Sequence, residues 1–183
     1  MLLINLFLLN ASPKNYGATQ RIVDLIAQEG SVKFNQINKC CLGEIEISYC
    51  KGCKSCYATG KCVIHDGMDD VIDAMKAADV LVIVAPSYWG DIPGQFKVFI
   101  DRCTSYNVAK SLAGNRKCFA VALREGQRSL ECEHIIECIA HWCGHMEVEM
   151  CGSSYYCGIH DKEDVEKYTD TIKCMAKKWF ESI

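Results

Sequence analysis

Residues 2–19 read LLINLFLLNASPKNYGAT, and this stretch decides the fold. Residues 2–9 are almost continuously apolar, which is typical of a strand buried on both faces of a parallel sheet. The polar turn that follows leads directly into residues 19–29, where apolar side chains recur at helical spacing. A buried strand, a short turn and an amphipathic helix in succession predict the first unit of an α/β fold.

The same succession repeats along the chain. Residues 80–85 (VLVIVA) and 118–123 (CFAVAL) predict two more buried strands, whereas residues 32–37 and 146–150 alternate polar and apolar side chains and predict edge strands. Helices are expected at 66–78, after Pro93, from Ser129 to a stop at Gly144, and at the C-terminus. Two edge strands and three central ones predict a flavodoxin-like three-layer α/β sandwich, with a five-stranded parallel sheet in the order 2-1-3-4-5.

Composition limits the class of protein. Of the 183 residues, 50% are hydrophobic and 23% charged, so we expect residues 1–183 to form a single globular domain and exclude disordered and coiled-coil proteins. The net charge is -3 and the basic residues are scattered, which argues against nucleic acid as a partner. The apolar opening lacks a basic segment before it, and no run is long enough to span a membrane. We therefore expect a cytoplasmic protein with no membrane partner.

Residues 38–66 show no convincing periodicity, and a loop of that length is uncommon unless it is functional. Within it, residues 50–62 read CKGCKSCYATGKC, which places four cysteines in a C-x2-C-x2-C-x5-C pattern. Three cysteines at one-turn spacing can converge on a single point, which suits a metal centre. The spacing is closest to that of iron-sulfur ligands, while zinc and ordinary thiols remain alternatives.

Two turns should meet in the crevice at the carboxyl ends of the first and third strands. The turn at residues 10–19 brings hydroxyls, a lysine and free backbone N–H groups to a helix N-terminus, which is a ready phosphate site. The turn at residues 86–90 carries Tyr88 and Trp89, which either contact a flat ring or fill the hydrophobic core. These turns predict a small-molecule site.

At these positions the sequence resembles the NADPH-dependent FMN reductase-like proteins of flavodoxin fold, and among them the iron-sulfur flavoproteins. The family's phosphate turn, typically G-S-P-R-x-x-S-N-T, is similar to residues 11–19. The family's P-x-Y-x-G and Q-x-K-x-x-I-D-R motifs are similar to Pro86, Tyr88, Gly90, Gln95, Lys97, Ile100, Asp101 and Arg102. This chain departs from the pattern at Lys14, where arginine is usual, and at Gly17 and Ala18, where polar residues are usual.

The resemblance implies two cofactors and their ligands. FMN is expected to contact Ser12, Lys14, Gly17, Ala18, Thr19, Pro86, Ser87, Tyr88, Trp89, Gly90, Arg124, Glu125 and Gly126. The last three replace a glycine-rich run that the family commonly has beside the flavin. A four-iron four-sulfur cluster is expected on Cys50, Cys53, Cys56 and Cys62.

The resulting hypothesis is an FMN-dependent oxidoreductase that passes electrons between FMN and the cluster. NAD(P)H is a candidate donor, and the partner at the other end is a small molecule or a protein. The alternatives are a cluster-free NAD(P)H-dependent FMN or quinone reductase and a zinc-stabilised binding module without catalysis. The long cysteine loop carries Tyr49 and Tyr57, and together with the resemblance it implies a homodimer or homotetramer.

Overall fold

A computed structural model describes residues 4–183 as a parallel sheet with helices on both faces. The strands are β1 (Asn5–Asn10), β2 (Gln36–Cys41), β3 (Val80–Pro86), β4 (Lys117–Leu123) and β5 (Glu149–Tyr156). The helices are α1 (Ala18–Gly30), α2 (Ser55–Thr59), α3 (Met68–Lys76), α4 (Gly94–Arg102), α5 (Thr104–Val108), α6 (Leu130–Met146), α7 (Lys162–Glu166) and α8 (Thr169–Glu181). A 3-10 turn at Leu42–Glu44 follows β2.

The strands lie in the order β2-β1-β3-β4-β5 and every pair is parallel, so the predicted flavodoxin-like topology is confirmed. β1, β3 and β4 are buried almost throughout, whereas β2 and β5 carry exposed residues along their length. The strand order places the carboxyl ends of β1 and β3 side by side, at the point where the order reverses.

Alternate residues of each central strand supply two separate cores. Leu6, Leu8 and Val82 pack on one face with the apolar sides of α1 and α8. Phe7 and Leu81 pack on the other face with residues from α3, α4 and α6. The near-continuous apolar sequence of these strands follows from this double burial, because both sides of the pleat face a helix layer.

The predicted boundaries of both edge strands were wrong. The strand predicted at 32–37 begins only at Gln36, because Val32 lies in a turn after α1 and is 91% exposed. The strand predicted at 146–150 is β5, beginning at Glu149, because Gly144 does not stop the preceding helix. That helix ends at Met146, and the next residue, Glu147, adopts the left-handed conformation at φ 57°. Residues 2 and 3 of the first predicted strand lie outside the described residues.

The predicted structureless loop at 38–66 contains more order than expected. Its first residues belong to β2, the 3-10 turn follows, and α2 forms within the cysteine motif. The single C-terminal helix expected through Val165 and Trp179 is divided into α7 and α8. In residues 4–183, no helix combines the length and apolar character of a membrane span.

Candidate functional site

A cleft of about 640 Å³ opens at the carboxyl ends of the central strands. It is lined by Ser12, Lys14, Tyr16, Gly17, Ala18, Thr19, Pro86, Ser87, Tyr88, Trp89, Leu123, Arg124, Glu125 and residues 159–163. Its volume falls within the range of small-molecule and cofactor sites. The cleft therefore brings together the three turns that follow β1, β3 and β4.

Asn10, the last residue of β1, is fully buried and organises the first turn. Its Nδ2 donates to the carbonyl oxygen of Lys14 at 3.0 Å and to Oε1 of Gln20 at 2.9 Å. Its Oδ1 accepts from the N–H of Ser12 at 2.9 Å, and the Ser12 hydroxyl accepts from the N–H of Lys14 at 3.1 Å. One amide thus fixes the turn at three points.

This turn leaves the start of α1 open. Gly17 precedes the helix, and in the described chain no side chain caps its first N–H groups and no acidic residue occupies its first turn. A Cβ added at Gly17 would meet only Lys14 Cβ, at 4.0 Å. By contrast, the N–H of Asp164 in α7 is occupied by the side chain of Asp161. Unpaired N–H groups and the positive end of a 13-residue helix form a site that accepts a phosphate.

The second turn presents its aromatic rings to solvent rather than to the core. Tyr88 and Asp91 exchange backbone hydrogen bonds of 2.8 and 3.1 Å around Trp89 and Gly90. Both middle residues have positive φ, 53° at Trp89 and 80° at Gly90, as a type I′ turn requires. Trp89 is fully exposed and Tyr88 is 40% exposed, so the alternative of a core plug is wrong. The two rings stand at the cleft, where a flat ligand can contact them.

The third turn is joined to the second through Glu131, the second residue of α6. Arg124 Nη2 lies 2.9 Å from Glu131 Oε1, and the Ser87 hydroxyl donates to Glu131 Oε2 at 2.6 Å. Arg124 also donates to the carbonyl oxygen of Arg128 at 2.7 Å. Arg124 Nε is buried and has no hydrogen-bond partner among residues 4–183. Arg124 as a whole lines the cleft, and Glu131 and the carbonyl oxygen of Arg128 fix its guanidinium there.

Two predicted cofactor residues do not line the cleft. Gly90 lies within the second turn but faces α6, where an added Cβ would be 3.9 Å from Glu131. Gly126 packs under the Arg124 guanidinium, which an added Cβ would meet at 2.3 Å. Both glycines support the network that shapes the cleft.

Sequence reasoning missed several lining residues. They are Tyr16, Leu123 and residues 159–163. Glu131, which accepts a hydrogen bond from Ser87 at the cleft, was also missed. Tyr16 lies inside the predicted phosphate turn and Leu123 at the predicted end of β4. Their positions in the sequence could therefore have indicated both as lining residues. Residues 159–163 follow β5, whose end was misplaced, and nothing local in the sequence directs them to the cleft.

The four motif cysteines lie in the segment between the 3-10 turn and α3. Cys50 and Cys53 are exposed and Cys56 and Cys62 are half-buried, and all four are free thiols. The sulfur of Cys50 accepts from the N–H of Gly52, and that of Cys62 from the N–H of Ile64, both at 3.5 Å. Hydrogen bonds from Ser55 lower the pKa of Cys53. At Cys53 these donors favour the thiolate form that metal centres require.

The backbone of this segment is shaped by left-handed residues. Gly52 and Lys54 flank Cys53 with φ of 64° and 60°, and Gly60 follows α2 with φ of 68°. Lys54 is not a glycine, so its conformation costs about 1 to 2 kcal/mol. Strain of this kind persists where the surroundings fix the chain, and it is concentrated at functional sites.

Arg102, at the end of α4, holds both ends of the motif. It is buried, with 1% exposure, and its Nη1 donates to the carbonyl oxygen of Ser48 and to Asp66 Oδ2, each at 2.7 Å. Its Nη2 donates to the carbonyl oxygen of Ile64 at 3.1 Å and to Asp66 Oδ1 at 3.2 Å. Ser48 lies two residues before Cys50 and Ile64 two residues after Cys62. One guanidinium thus closes the cysteine segment at its base.

The charges at this base are coupled. Burial opposes ionisation of Asp66, but hydrogen bonds from Arg102 and from the N–H groups of Ser48 and Met68 outweigh it and lower the pKa of Asp66 to about 2. Burial likewise opposes the charge on Arg102, yet Asp66 and, more weakly, Cys62 raise its pKa. Arg102 and Asp66 therefore form a charged pair beside Cys62.

The cysteine sulfurs are not gathered tightly enough for one ion. Among the described residues, no three of the motif cysteines bring their sulfurs within 4.8 Å of one another. A tetrahedral zinc with bonds of about 2.3 Å would hold its sulfurs about 3.8 Å apart. A cluster with one cysteine on each iron needs a wider ligand set. Four thiolate donors are the ligand set of such a cluster.

The sequence is similar to that of several known proteins. The sequence profile of the family NADPH-dependent FMN reductase matches residues 4–148. An iron-sulfur flavoprotein from Clostridioides difficile is 29% identical over 93% of this chain and 76% of its own length. An iron-sulfur flavoprotein from Methanosarcina thermophila is 27% identical over 93% of this chain and 90% of its own length.

A solved structure shows the same fold at low identity. The FMN-dependent NADH-azoreductase from Bacillus anthracis, solved in complex with FMN, superposes with a TM-score of 0.72 at 13% identity, over 97% of this chain and 99% of its own. The predictions of fold and of an FMN-dependent oxidoreductase are confirmed. Since the family profile covers most of the sequence, this chain belongs to the NADPH-dependent FMN reductase family.

Proposed function

We propose that this flavin-dependent oxidoreductase passes electrons between FMN in the cleft and a four-iron four-sulfur cluster on Cys50, Cys53, Cys56 and Cys62. The observation that carries the proposal is the pairing of two features in one chain. An uncapped helix N-terminus opens into the cleft, and a four-cysteine segment is closed at its base by Arg102. FMN supplies two-electron chemistry and the cluster supplies one-electron transfer, while the protein binds and orients both.

The residues of the first turn would hold the phosphate. The N–H groups at the start of α1 face the cleft, and Ser12 and Thr19 are nearly buried beside them. Lys14 is exposed at the rim and adds a positive charge. Because lysine is a point charge, its contribution is less directional than an arginine fork. Backbone donors therefore supply most of the orientation.

The second and third turns would hold the flavin ring. Tyr88 and Trp89 offer apolar faces, while Pro86 and Ser87 continue β3 into the cleft wall. Arg124 also lines the cleft, and Glu131 keeps its guanidinium in place. A fixed cation near a flavin stabilises the reduced, more negative ring. Arg124 is the residue we expect to raise the reduction potential.

The relatives' names support the cluster assignment, since proteins 27 to 29% identical over 93% of this chain are called iron-sulfur flavoproteins. A cluster-free NAD(P)H-dependent FMN or quinone reductase is the second candidate, favoured by the exposure of Cys50 and Cys53 to solvent. NAD(P)H as donor and a cytoplasmic location stay predictions.

We further expect a homodimer or homotetramer. The cysteine segment exposes Tyr49, Tyr57 and Val63 by 72, 66 and 59%. Near the cleft, Tyr16 is 72% exposed and Trp89 is fully exposed. Apolar surfaces of this kind mark interaction sites. Closed symmetry would set the cysteine segment of one subunit against the cleft of another.

The experiment is anaerobic purification with the visible spectrum, flavin and iron measured on one sample. The proposal predicts one FMN and four irons per chain. One FMN per chain without iron would contradict the cluster and support the cluster-free reductase instead. Sedimentation of the loaded protein at micromolar concentration tests assembly, and a monomer there would contradict it.

A further inference from the structure

Three ligand-type side chains converge outside the cleft and the cysteine motif. They are Asp91, which ends the second turn, and His134 and Cys138, which lie four residues apart on one face of α6. Their candidate ligand atoms all lie within 4.8 Å of one another. His134 Nε2 is 3.4 Å from Asp91 Oδ1 and 3.7 Å from Cys138 Sγ.

These separations match the edges of a tetrahedral zinc site. Bonds of about 2.1 Å to nitrogen and oxygen and about 2.3 Å to sulfur, at the tetrahedral angle, place N and O about 3.4 Å apart and N and S about 3.6 Å apart. One carboxylate, one imidazole and one thiolate also suit the borderline softness of Zn²⁺. Two of the three ligand separations therefore match a zinc site, and the third, between Asp91 and Cys138, is within 4.8 Å.

The backbone holds all three ligands in place. The helical spacing of His134 and Cys138 fixes both side chains on one surface of α6. Asp91 Oδ1 accepts from the N–H of Ile92 at 2.7 Å, and the backbone of Asp91 is paired with Tyr88. A hydrogen bond to a ligating carboxylate orients it towards the ion.

We propose that Asp91, His134 and Cys138 bind one Zn²⁺ per chain, with water as the fourth ligand. The Cys138 thiol releases its proton to solvent on binding, and neutral His134 coordinates through Nε2. The three side chains are partly or fully exposed, so the ion enters directly from water.

The site would connect two parts of the flavin cleft. Asp91 closes the turn that carries Tyr88 and Trp89, and α6 carries Glu131, which holds Arg124. Zinc bound between Asp91 and α6 would therefore restrain the turn relative to the helix. This part of the inference rests on the proposed flavin site, whereas the metal site itself does not.

A neighbouring pair supplies the competing explanation. His141 and His145, further along α6, have their Nε2 atoms 3.0 Å apart and would chelate a cation as an exposed i, i+4 pair. The pair has two protein ligands where the proposed site has three, so we expect it to bind more weakly.

The test is calorimetric titration of the FMN- and iron-loaded protein with Zn²⁺, with zinc counted after gel filtration. We expect one tight site per chain, weakened at least tenfold by Asp91→Asn, His134→Ala or Cys138→Ser. The double variant His141→Ala/His145→Ala should keep it, as should Cys174→Ser, which removes an exposed cysteine on α8. Circular dichroism and the iron content check that each variant is folded and loaded.

Hydrogen exchange gives a second measurement. Zinc should slow exchange of the Tyr88 and Asp91 amides in the parent protein and leave them unchanged in Cys138→Ser. The inference is overturned if the loaded protein binds no zinc, or if only the His141→Ala/His145→Ala variant loses it. Binding that appears only after iron is removed would assign zinc to the motif cysteines instead.

Discussion

Arg102 Nη1 lies 2.7 Å from both Asp66 Oδ2 and the carbonyl oxygen of Ser48, so one buried guanidinium joins the two chain segments that flank the cysteine motif. Asp66 in turn accepts from the N–H of Met68 at 3.1 Å and so caps the start of α3. The motif is therefore anchored to α3 and α4, which belong to the rigid layers around the sheet.

Replacing Arg102 tests this anchor. Arg102→Met keeps an apolar stem of similar size but removes the guanidinium. Asp66 is then a buried charge without its partner, which should cost about 3 to 5 kcal/mol in the free energy of unfolding. Trypsin should then cut faster after Lys51, Lys54 and Lys61, and iron should be lost while FMN is kept. Urea unfolding, tryptic mapping and metal analysis measure the three effects.

The matched control is Lys97→Ala on the same helix. Lys97 pairs with Asp101, but both side chains are about half exposed. The free energy of unfolding should therefore fall by no more than about 1 kcal/mol. Equal effects of the two substitutions would show that Arg102 acts as an ordinary surface charge.

Acid should weaken the anchor within a defined range of pH. The pKa of Asp66 falls from its ordinary 3.8 to about 2 in the folded protein. Its stabilisation is therefore complete above about pH 4 and is lost as the pH falls from about 4 to about 2, a change of about 2.5 kcal/mol. The difference in free energy of unfolding between the parent and Asp66→Asn should shrink over that range. A difference that stays constant from pH 6 to pH 2.5 would contradict the assignment.

Asn10→Ala should destabilise both the first turn and the strand β1 from which it leaves. The substitution removes one buried and two partly buried hydrogen bonds, so we expect a loss of about 1 to 3 kcal/mol in stability and weaker FMN binding. The control is Asn5→Ala at the other end of β1, where Asn5 donates to the carbonyl oxygen of Ala77. That variant should lose stability and keep its affinity for FMN.

Local patterns predicted the fold and the first turn because strand, turn and helix are continuous in sequence. Residues 80–85 and 118–123 were recognised because both faces of those strands are buried. The edge strands were misplaced for the opposite reason, since β2 is mostly polar and the small residues of β5 serve packing. Gly152 leaves room for Trp179, which stacks on Phe119 at 4.8 Å.

The parts of the site that sequence reasoning missed depend on distant contacts. Glu131 reaches Ser87 across 44 residues, and Arg102 reaches Ser48 across 54. Such pairs exist only once helices have packed on the sheet, and neither residue stands in a spacing that indicates its partner. The motif cysteines, by contrast, lie within 13 residues, so their spacing alone indicated a metal centre.

The hydroxyl of Thr19 should contribute to phosphate binding. Thr19→Ala removes one charge-assisted hydrogen bond, which should weaken FMN binding by about 1.5 to 3 kcal/mol, or about tenfold to a hundredfold in Kd. Thr19→Ser should recover most of the affinity because it keeps the hydroxyl. Flavin fluorescence titration measures both. Unchanged affinity in the alanine variant would place the phosphate elsewhere.

The last prediction concerns the cysteines. Cys56 lies in α2, which packs against α5, so its loss leaves an incomplete ligand set in an otherwise folded segment. Cys56→Ser should remove the iron and the brown absorbance and loosen the segment around α2, because metal binding contributes to its order. FMN should stay bound, since the residues around Ser12 and Pro86 belong to the sheet.

Two other cysteines serve as controls for this substitution. Cys118→Ser, in the buried β4 beside Cys143, should cost packing energy and keep the iron. Cys174→Ser, exposed on α8, should change neither the stability nor the iron content. If Cys56→Ser keeps its iron, the cluster is not held by this motif. If all three variants lose iron equally, the loss follows general instability, and Cys56 has no special role as a ligand.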